Sequence, residues 1–119
     1  MGDQLDLIIV GGGPAGLACA IHARKRKLEF RLIEKGCIVN SIYNYPENMT
    51  FFTTAELLEI GDVPFIVDTE KPKRVDALKY YRRVVEYFDL PVRDYERVEE
   101  VTGVDFNFTV VTREASPSQ

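Results

Sequence analysis

The sequence predicts an α/β fold in which a parallel sheet is followed by a β-hairpin. One observation is an apolar run at residues 5–10 that leads into a glycine turn, then a helical segment at 17–26 and a second apolar run at 30–33. Parallel strands joined through a helix have this order. The other observation is the alternation of Phe106, Phe108 and Val110 with polar residues, which indicates a strand with one buried face.

The turn after the first strand carries three glycines in the spacing that a dinucleotide site needs. Gly11 permits the tight turn, Gly13 leaves room for a diphosphate at the backbone, and Gly16 lets the helix pack closely on the strand. Pro14 suits the first helical turn because its missing N–H costs nothing there. The helix start then offers N–H groups and the positive end of its dipole to a diphosphate.

The second strand, Phe30–Ile33, ends at Glu34, where an acidic side chain can accept hydrogen bonds from a ribose. A carboxylate there would repel a 2′-phosphate. We therefore expect FAD or NAD rather than NADP at this site. Strand, turn, helix, second strand and acid occur together, which favours a dinucleotide site over a chance glycine turn.

Composition limits the chain to one small domain. With 119 residues, 45% of them hydrophobic, it can form one core. No run approaches the roughly 20 apolar residues of a membrane span, and the first apolar run reads as a strand, not a signal peptide. We expect a cytoplasmic protein without a membrane partner. The net charge of −4 argues against nucleic acid as a partner. The basic cluster is predicted to be a solvated helix face: Lys71, Lys73, Arg74, Lys79, Arg82 and Arg83.

The two cysteines, Cys19 and Cys37, form no Cys-x-x-Cys pair and have no histidine at a metal-like spacing, so no metal site is predicted. Cys19 lies in the first helix and is expected in the core. Cys37 is expected to be an unreactive loop cysteine, and the alternative is that its thiol is reactive.

The middle of the chain combines a long loop with two further helices. Residues 35–53 are rich in aromatic and amide side chains, which makes this loop a second candidate site. Thr53-x-x-Glu56 resembles a capping box and predicts a short helix ending at Gly61. A long helix is predicted at Arg74–Phe88, with an apolar stripe that we assign to the core: Val75, Leu78, Tyr81, Val85 and Phe88.

The rest of the chain is predicted as strands near 91–93, 97–102 and 106–112, with a turn at 103–105. Residues 114–119 are expected to be a disordered tail. Lys27 must end the first helix in a left-handed conformation, where glycine is the usual residue.

Together these segments resemble the N-terminal FAD-binding part of thioredoxin-reductase-like flavoproteins, and within them the YpdA-type bacillithiol-disulfide reductases. The stretches that carry the likeness are residues 11–20, 33–36, 40–46, 48–52, 59–65 and 78–85. The resemblance implies a Rossmann-like FAD-binding domain at 1–113, apparently incomplete, with an NADPH-binding domain outside this chain. The 119 residues would then be the N-terminal piece of a longer enzyme or a truncated chain, inactive by itself.

This resemblance implies that the glycine turn holds the FAD diphosphate and that Glu34 holds the adenosine ribose. It also implies that the loop from Asn40 approaches the flavin. The backbone near Val98 would lie beside the adenine. The implied cofactor-binding residues are Gly11, Gly13, Pro14, Ala15, Gly16, Glu34, Lys35, Asn40, Ser41, Tyr43, Asn44 and Val98. No catalytic residue is assigned.

Two features differ from related patterns. Ala15 stands where YpdA-type proteins often have a cysteine, which weakens the case for thiol catalysis. Glutathione-reductase-like relatives carry a Cys-x4-Cys pair, but here Cys37 is followed at that spacing by Ile42.

The expected function is that of an FAD-dependent, NAD(P)H-linked reductase acting on a small-molecule disulfide or another electron acceptor. Because an incomplete sheet leaves a strand edge unpaired, we expect either association into a homo-oligomer or marginal stability of the isolated chain. One alternative is a non-catalytic dinucleotide-binding module or scaffold. Another is an NAD-binding dehydrogenase domain, which the loop at residues 40–65 disfavours.

Overall fold

A three-stranded parallel sheet forms the centre of the computed structural model, which describes residues 4–69 and 71–114. Its strands are β1 (Leu7–Val10), β2 (Phe30–Ile33) and β3 (Val92–Arg93), in the order β1-β2-β3. The register pairs Leu7 with Phe30 and Leu32 with Val92. The α/β fold with a parallel sheet is thus confirmed, although β1 begins two residues later than predicted.

Two long helices contact each other, and the first of them packs on β1 and β2. They are α1 (Pro14–Lys25) and α3 (Arg74–Phe88), and between them lie the single turn α2 (Asn40–Tyr43) and a short 3-10 helix (Ala55–Leu58). The core between α1, α3 and β2 includes side chains with less than 2% exposure: Leu17, Ile21, Leu32, Tyr81 and Val84. Lys27, with φ of 59°, takes the predicted left-handed conformation after α1.

The helices also correct two predictions about which side chains are buried. Val75 is 45% exposed, because α3 buries the face that carries Ala77, Tyr80 and Val84 instead. Cys19 is exposed and lies outside the core, since α1 buries the face of Leu17 and Ala20.

The predicted capping box at Thr53 and Glu56 is also wrong. The 3-10 helix begins after Thr54, and no side chain caps it. Two tyrosines of α3 hold this segment instead. The Tyr80 hydroxyl accepts from the Ile60 N–H at 2.9 Å and donates to the Val63 carbonyl at 2.7 Å, and Tyr81 donates to Leu58. Gly61, with φ of +61°, turns the chain between Ile60 and Val63.

An antiparallel hairpin follows the sheet, formed by β4 (Glu96–Val104) and β5 (Asn107–Glu114). Its turn lies at residues 105–106, slightly later than predicted. Phe106 is fully exposed and Phe108 is 60% exposed, so the predicted buried face is wrong within the described residues. β5 extends through Glu114, one residue into the predicted tail, and residues 115–119 lie outside the described part of the chain.

Candidate dinucleotide site

The glycine turn between β1 and α1 has the geometry that the motif requires. Gly11 has a φ of +107° and donates its N–H to the Ile33 carbonyl at 2.8 Å, so it completes the pairing of β1 with β2. A Cβ on Gly16 would lie far inside contact distance of the Gly11 carbonyl oxygen. A Cβ on Gly13 would meet no atom within 4 Å. Gly16 therefore permits the packing of α1, whereas Gly13 borders open space at the helix start.

Glu34 joins the glycine turn to the loop that follows β2. Its side chain is buried, with 7% exposure. One carboxylate oxygen accepts the N–H of Gly12 at 2.8 Å, and the other accepts the N–H of Gly36 at 2.6 Å. Each oxygen of an ionised carboxylate has about two acceptor positions. Glu34 can therefore order the backbone and still accept a hydrogen bond from a ligand hydroxyl.

Gly12 and Val39 form a second connection between the same segments. The Gly12 carbonyl accepts the Val39 N–H at 2.8 Å, and a Cβ on Gly12 would lie 3.2 Å from the side chain of Glu34. Val39 is buried and has a φ of 49°, which is rare for a β-branched residue. Neither residue was predicted from the sequence to belong to the site. The only signal in the sequence was that the open position of the motif, between Gly11 and Gly13, is itself a glycine.

A small cleft of about 120 Å³ opens between these segments. Six of its lining residues were predicted to bind the cofactor: Gly13, Pro14, Glu34, Lys35, Asn40 and Ser41. Val39 and Ile42 complete the lining. Sites for drug-sized ligands measure roughly 300–1,000 Å³. The cleft thus matches only a portion of a dinucleotide, such as a phosphate with its ribose.

The other predicted site residues do not line this cleft. Ala15 is exposed in the first turn of α1, and Tyr43 and Asn44 are exposed at the end of α2. Val98 is half-buried on β4, whose first residue, Glu96, donates its N–H to the Glu34 carbonyl at 2.9 Å. The structure thus places the start of β4 beside Glu34.

Cys37 lies at the edge of this site and is half-buried. Its Sγ lies 3.4 Å from the Asn40 side-chain oxygen. Burial raises the pKa of the Cys37 thiol, and this outweighs the opposite effects of a backbone hydrogen bond and of Arg82. Because a thiolate is the nucleophile, the raised pKa reduces reactivity at neutral pH. Among the described residues, no cluster of His, Cys, Asp and Glu could hold a metal ion.

We expect Cys37 to react with iodoacetamide several-fold more slowly than the exposed Cys19 at pH 7. The raised pKa delays thiolate formation, so the labelling rate of Cys37 should still rise at pH values above the ordinary thiol range. Peptide mass spectrometry over a pH series measures both rates. Faster labelling of Cys37 than of Cys19 at pH 7 would contradict the interpretation of Cys37 as an unreactive loop cysteine.

A strand, a glycine turn, a helix and an acidic residue ending the next strand together define a dinucleotide-binding α/β protein. The family model described as pyridine nucleotide-disulphide oxidoreductase matches residues 8–117. The chain belongs to this family, and its fold is the Rossmann-like FAD-binding fold. This confirms the resemblance seen in the sequence.

The chain is similar to reductases from Bacillus and Staphylococcus species. Bacilliredoxin reductase Bdr of Bacillus subtilis (strain 168) is 56% identical over 82 residues, which cover 69% of this chain and 25% of the reductase. The structure of bacillithiol disulfide reductase Bdr (YpdA) from Staphylococcus aureus superposes with a TM-score of 0.90 at 46% identity, covering 93% of this chain and 34% of that one. The structure of bacillithiol disulfide reductase Bdr (YpdA) from Bacillus cereus superposes with a TM-score of 0.90 at 49% identity, covering 94% of this chain and 35% of that one. The chain therefore spans about a quarter to a third of these relatives.

No helix in the described ranges, 4–69 and 71–114, is long and apolar enough to cross a membrane.

Proposed function

We propose that residues 1–113 form the FAD-binding part of an NAD(P)H-dependent reductase whose electron acceptor is a low-molecular-weight disulfide. The observation that carries this proposal is that the glycine turn, Glu34 and the loop at residues 35–42 border one cleft. The names of the bacilliredoxin and bacillithiol disulfide reductases to which the chain is similar support the disulfide acceptor.

The chain's own residues would bind and orient the cofactor. The first N–H groups of α1 have no partner inside the helix and can donate to the diphosphate, which Gly13 allows to approach. Glu34 would accept a hydrogen bond from the ribose of the adenosine. Asn40 and Ser41, which also line the cleft, offer an amide and a hydroxyl. The chemistry that bound FAD supplies is the acceptance of hydride from a nicotinamide and the transfer of two electrons onward.

The absorption spectrum of the purified protein tests this proposal. We expect the two visible bands of an oxidised flavin, released on denaturation as FAD, and a stoichiometric gain of these bands when apoprotein is titrated with FAD. When the chain is joined to the NADPH-binding domain that the resemblance implies, anaerobic NADPH should bleach these bands and bacillithiol disulfide should restore them. A protein that neither contains nor takes up FAD would contradict the proposal.

A non-catalytic dinucleotide-binding module is the second candidate function. The small volume of the cleft favours it, since these residues contact only part of a dinucleotide. This alternative predicts only weak FAD uptake by the purified chain, and no bleaching of the flavin by NADPH when the NADPH-binding domain is present.

We also propose a cytoplasmic location and self-association. Both cysteines are free thiols, as is usual in a reducing compartment. Within the described residues, β1 pairs on one side only, which leaves a strand edge for another chain. Cell fractionation tests the location, and sedimentation velocity tests the association.

A further inference from the structure

The turn α2 carries residues that face the cleft, but it is too short to be stable by itself. It has four residues, and isolated helices need roughly 12–15 to be even marginally stable in water. Its N-terminal end is held by the Val39 N–H on the Gly12 carbonyl, and its middle by the buried Ile42. Contacts outside the turn must therefore hold its other end.

Arg74, the first residue of α3, supplies those contacts. Its guanidinium donates to the Tyr43 carbonyl through Nη2 at 2.7 Å and through Nε at 3.2 Å. It also lies over the Tyr43 ring, 5.4 Å from the centroid. The last carbonyls of a helix have no partner within it, so this carbonyl is free to accept both bonds.

The same residue also holds the far end of the next loop. The backbone N–H of Arg74 donates to the Met49 carbonyl at 2.9 Å, and the neighbouring Thr50 and Lys73 form an antiparallel bridge. Arg74 thus closes the loop at residues 44–48 from both sides. Its anchor is firm because α3 is buried along Ala77, Tyr81 and Val84.

The position of this arginine has an electrostatic cost that its contacts must offset. A cation in the first turn of a helix lies at the positive end of the helix dipole. Of the basic cluster at residues 71–83, Arg74 is half-buried, whereas Lys73, Lys79 and Arg83 are exposed. The prediction of a solvated basic face is therefore wrong for Arg74.

We propose that Arg74 is a positioning residue that fixes α2 and the loop at residues 44–48 against the cofactor. Arg74 itself does not line the cleft. It acts through Tyr43, whose carbonyl and ring it holds, and so sets the wall formed by Asn40, Ser41 and Ile42. This inference rests on the proposed FAD site.

The test compares Arg74→Met, Arg74→Lys and the exposed control Arg83→Met in the purified protein. Hydrogen exchange of the apoprotein reports on the Tyr43 and Asn44 amides, which donate to the Val39 and Asn40 carbonyls. For Arg74→Met we expect about tenfold faster exchange there and about a tenfold higher Kd for FAD. Arg74→Lys should give a smaller change in both, because lysine lacks the planar fork. The control should change neither quantity.

Each outcome separates this inference from the proposed function. Unchanged exchange in Arg74→Met would overturn the inference, and so would faster exchange with an unchanged Kd for FAD. Failure of the unsubstituted protein to bind FAD would reject the proposed function and the cofactor-facing role, while the exchange data still show whether Arg74 holds α2. If Arg74→Met unfolds as judged by circular dichroism, Arg74→Lys decides by the same two measurements.

Discussion

Gly16→Ala is expected to destabilise the protein by about 3 kcal/mol or more, a cost at the upper end for an overpacked site. The added methyl would overlap the Gly11 carbonyl oxygen, which belongs to the backbone and has no rotamer that could move it away. Gly11 is itself fixed, since its N–H donates to Ile33 and its φ is +107°. Relief therefore requires α1 to move off β1.

Urea unfolding followed by far-ultraviolet circular dichroism measures this effect without ligand. The chain has no tryptophan, so its intrinsic fluorescence is a weak probe. We expect the urea midpoint of apo Gly16→Ala to fall sharply, or the protein to be unfolded without urea.

Gly13→Ala is the matched control in the same turn. Its methyl would meet no protein atom within 4 Å, and the φ of −78° at Gly13 suits alanine. The urea midpoint should stay close to that of the unsubstituted protein, whereas FAD affinity should fall at least about tenfold because the methyl enters the space of the diphosphate. Equal stability losses in both variants would show that the two glycines do not have these separate roles.

The elements that the sequence predicted best are those whose own pattern determines them. β2 and α3 match their predicted bounds at Phe30–Ile33 and Arg74–Phe88, because a short apolar run and helical periodicity can be read within a single segment. The left-handed backbone conformation of Lys27 could also be predicted from a short segment, because few residues separate α1 from β2. Such features require no knowledge of distant segments.

The features that the sequence missed depend on what packs against each segment. The hairpin alternates as expected, yet Phe108 is largely exposed because no other described element covers it. Cys19 has a helical neighbourhood typical of the core, but the direction in which α1 packs turns it outward. The hydrogen bonds of Gly12 to Glu34 and Val39 are made by the backbone groups of Gly12, so no pattern of residue types predicts them. The candidate site was therefore predicted in its glycines and its acid, and not in the contacts that hold them together.

Those contacts make Glu34 the second position where a large effect is expected. Glu34→Ala should lower the free energy of unfolding by about 2–4 kcal/mol, since it leaves the N–H groups of Gly12 and Gly36 without their acceptor. Gly12 is buried, so water cannot fully replace the lost oxygen. The substitution also removes the carboxylate link between the glycine turn and the loop at residues 35–42, and leaves the bond from the Val39 N–H to the Gly12 carbonyl. Because the ribose would lose its acceptor, we expect FAD affinity to fall at least about tenfold.

Glu34→Gln and Glu100→Gln separate the structural and electrostatic parts of this effect. The glutamine at position 34 retains one oxygen and can satisfy one of the two N–H donors, so its stability loss should be about half that of Glu34→Ala. Glu100 is exposed on β4, and its substitution removes the same charge far from the turn, so it should change neither stability nor FAD affinity. Urea unfolding of the apoproteins and FAD titrations of the same samples provide both numbers. If Glu34→Gln were as unstable as Glu34→Ala, the negative charge rather than the pair of acceptors would be what holds the turn to the loop.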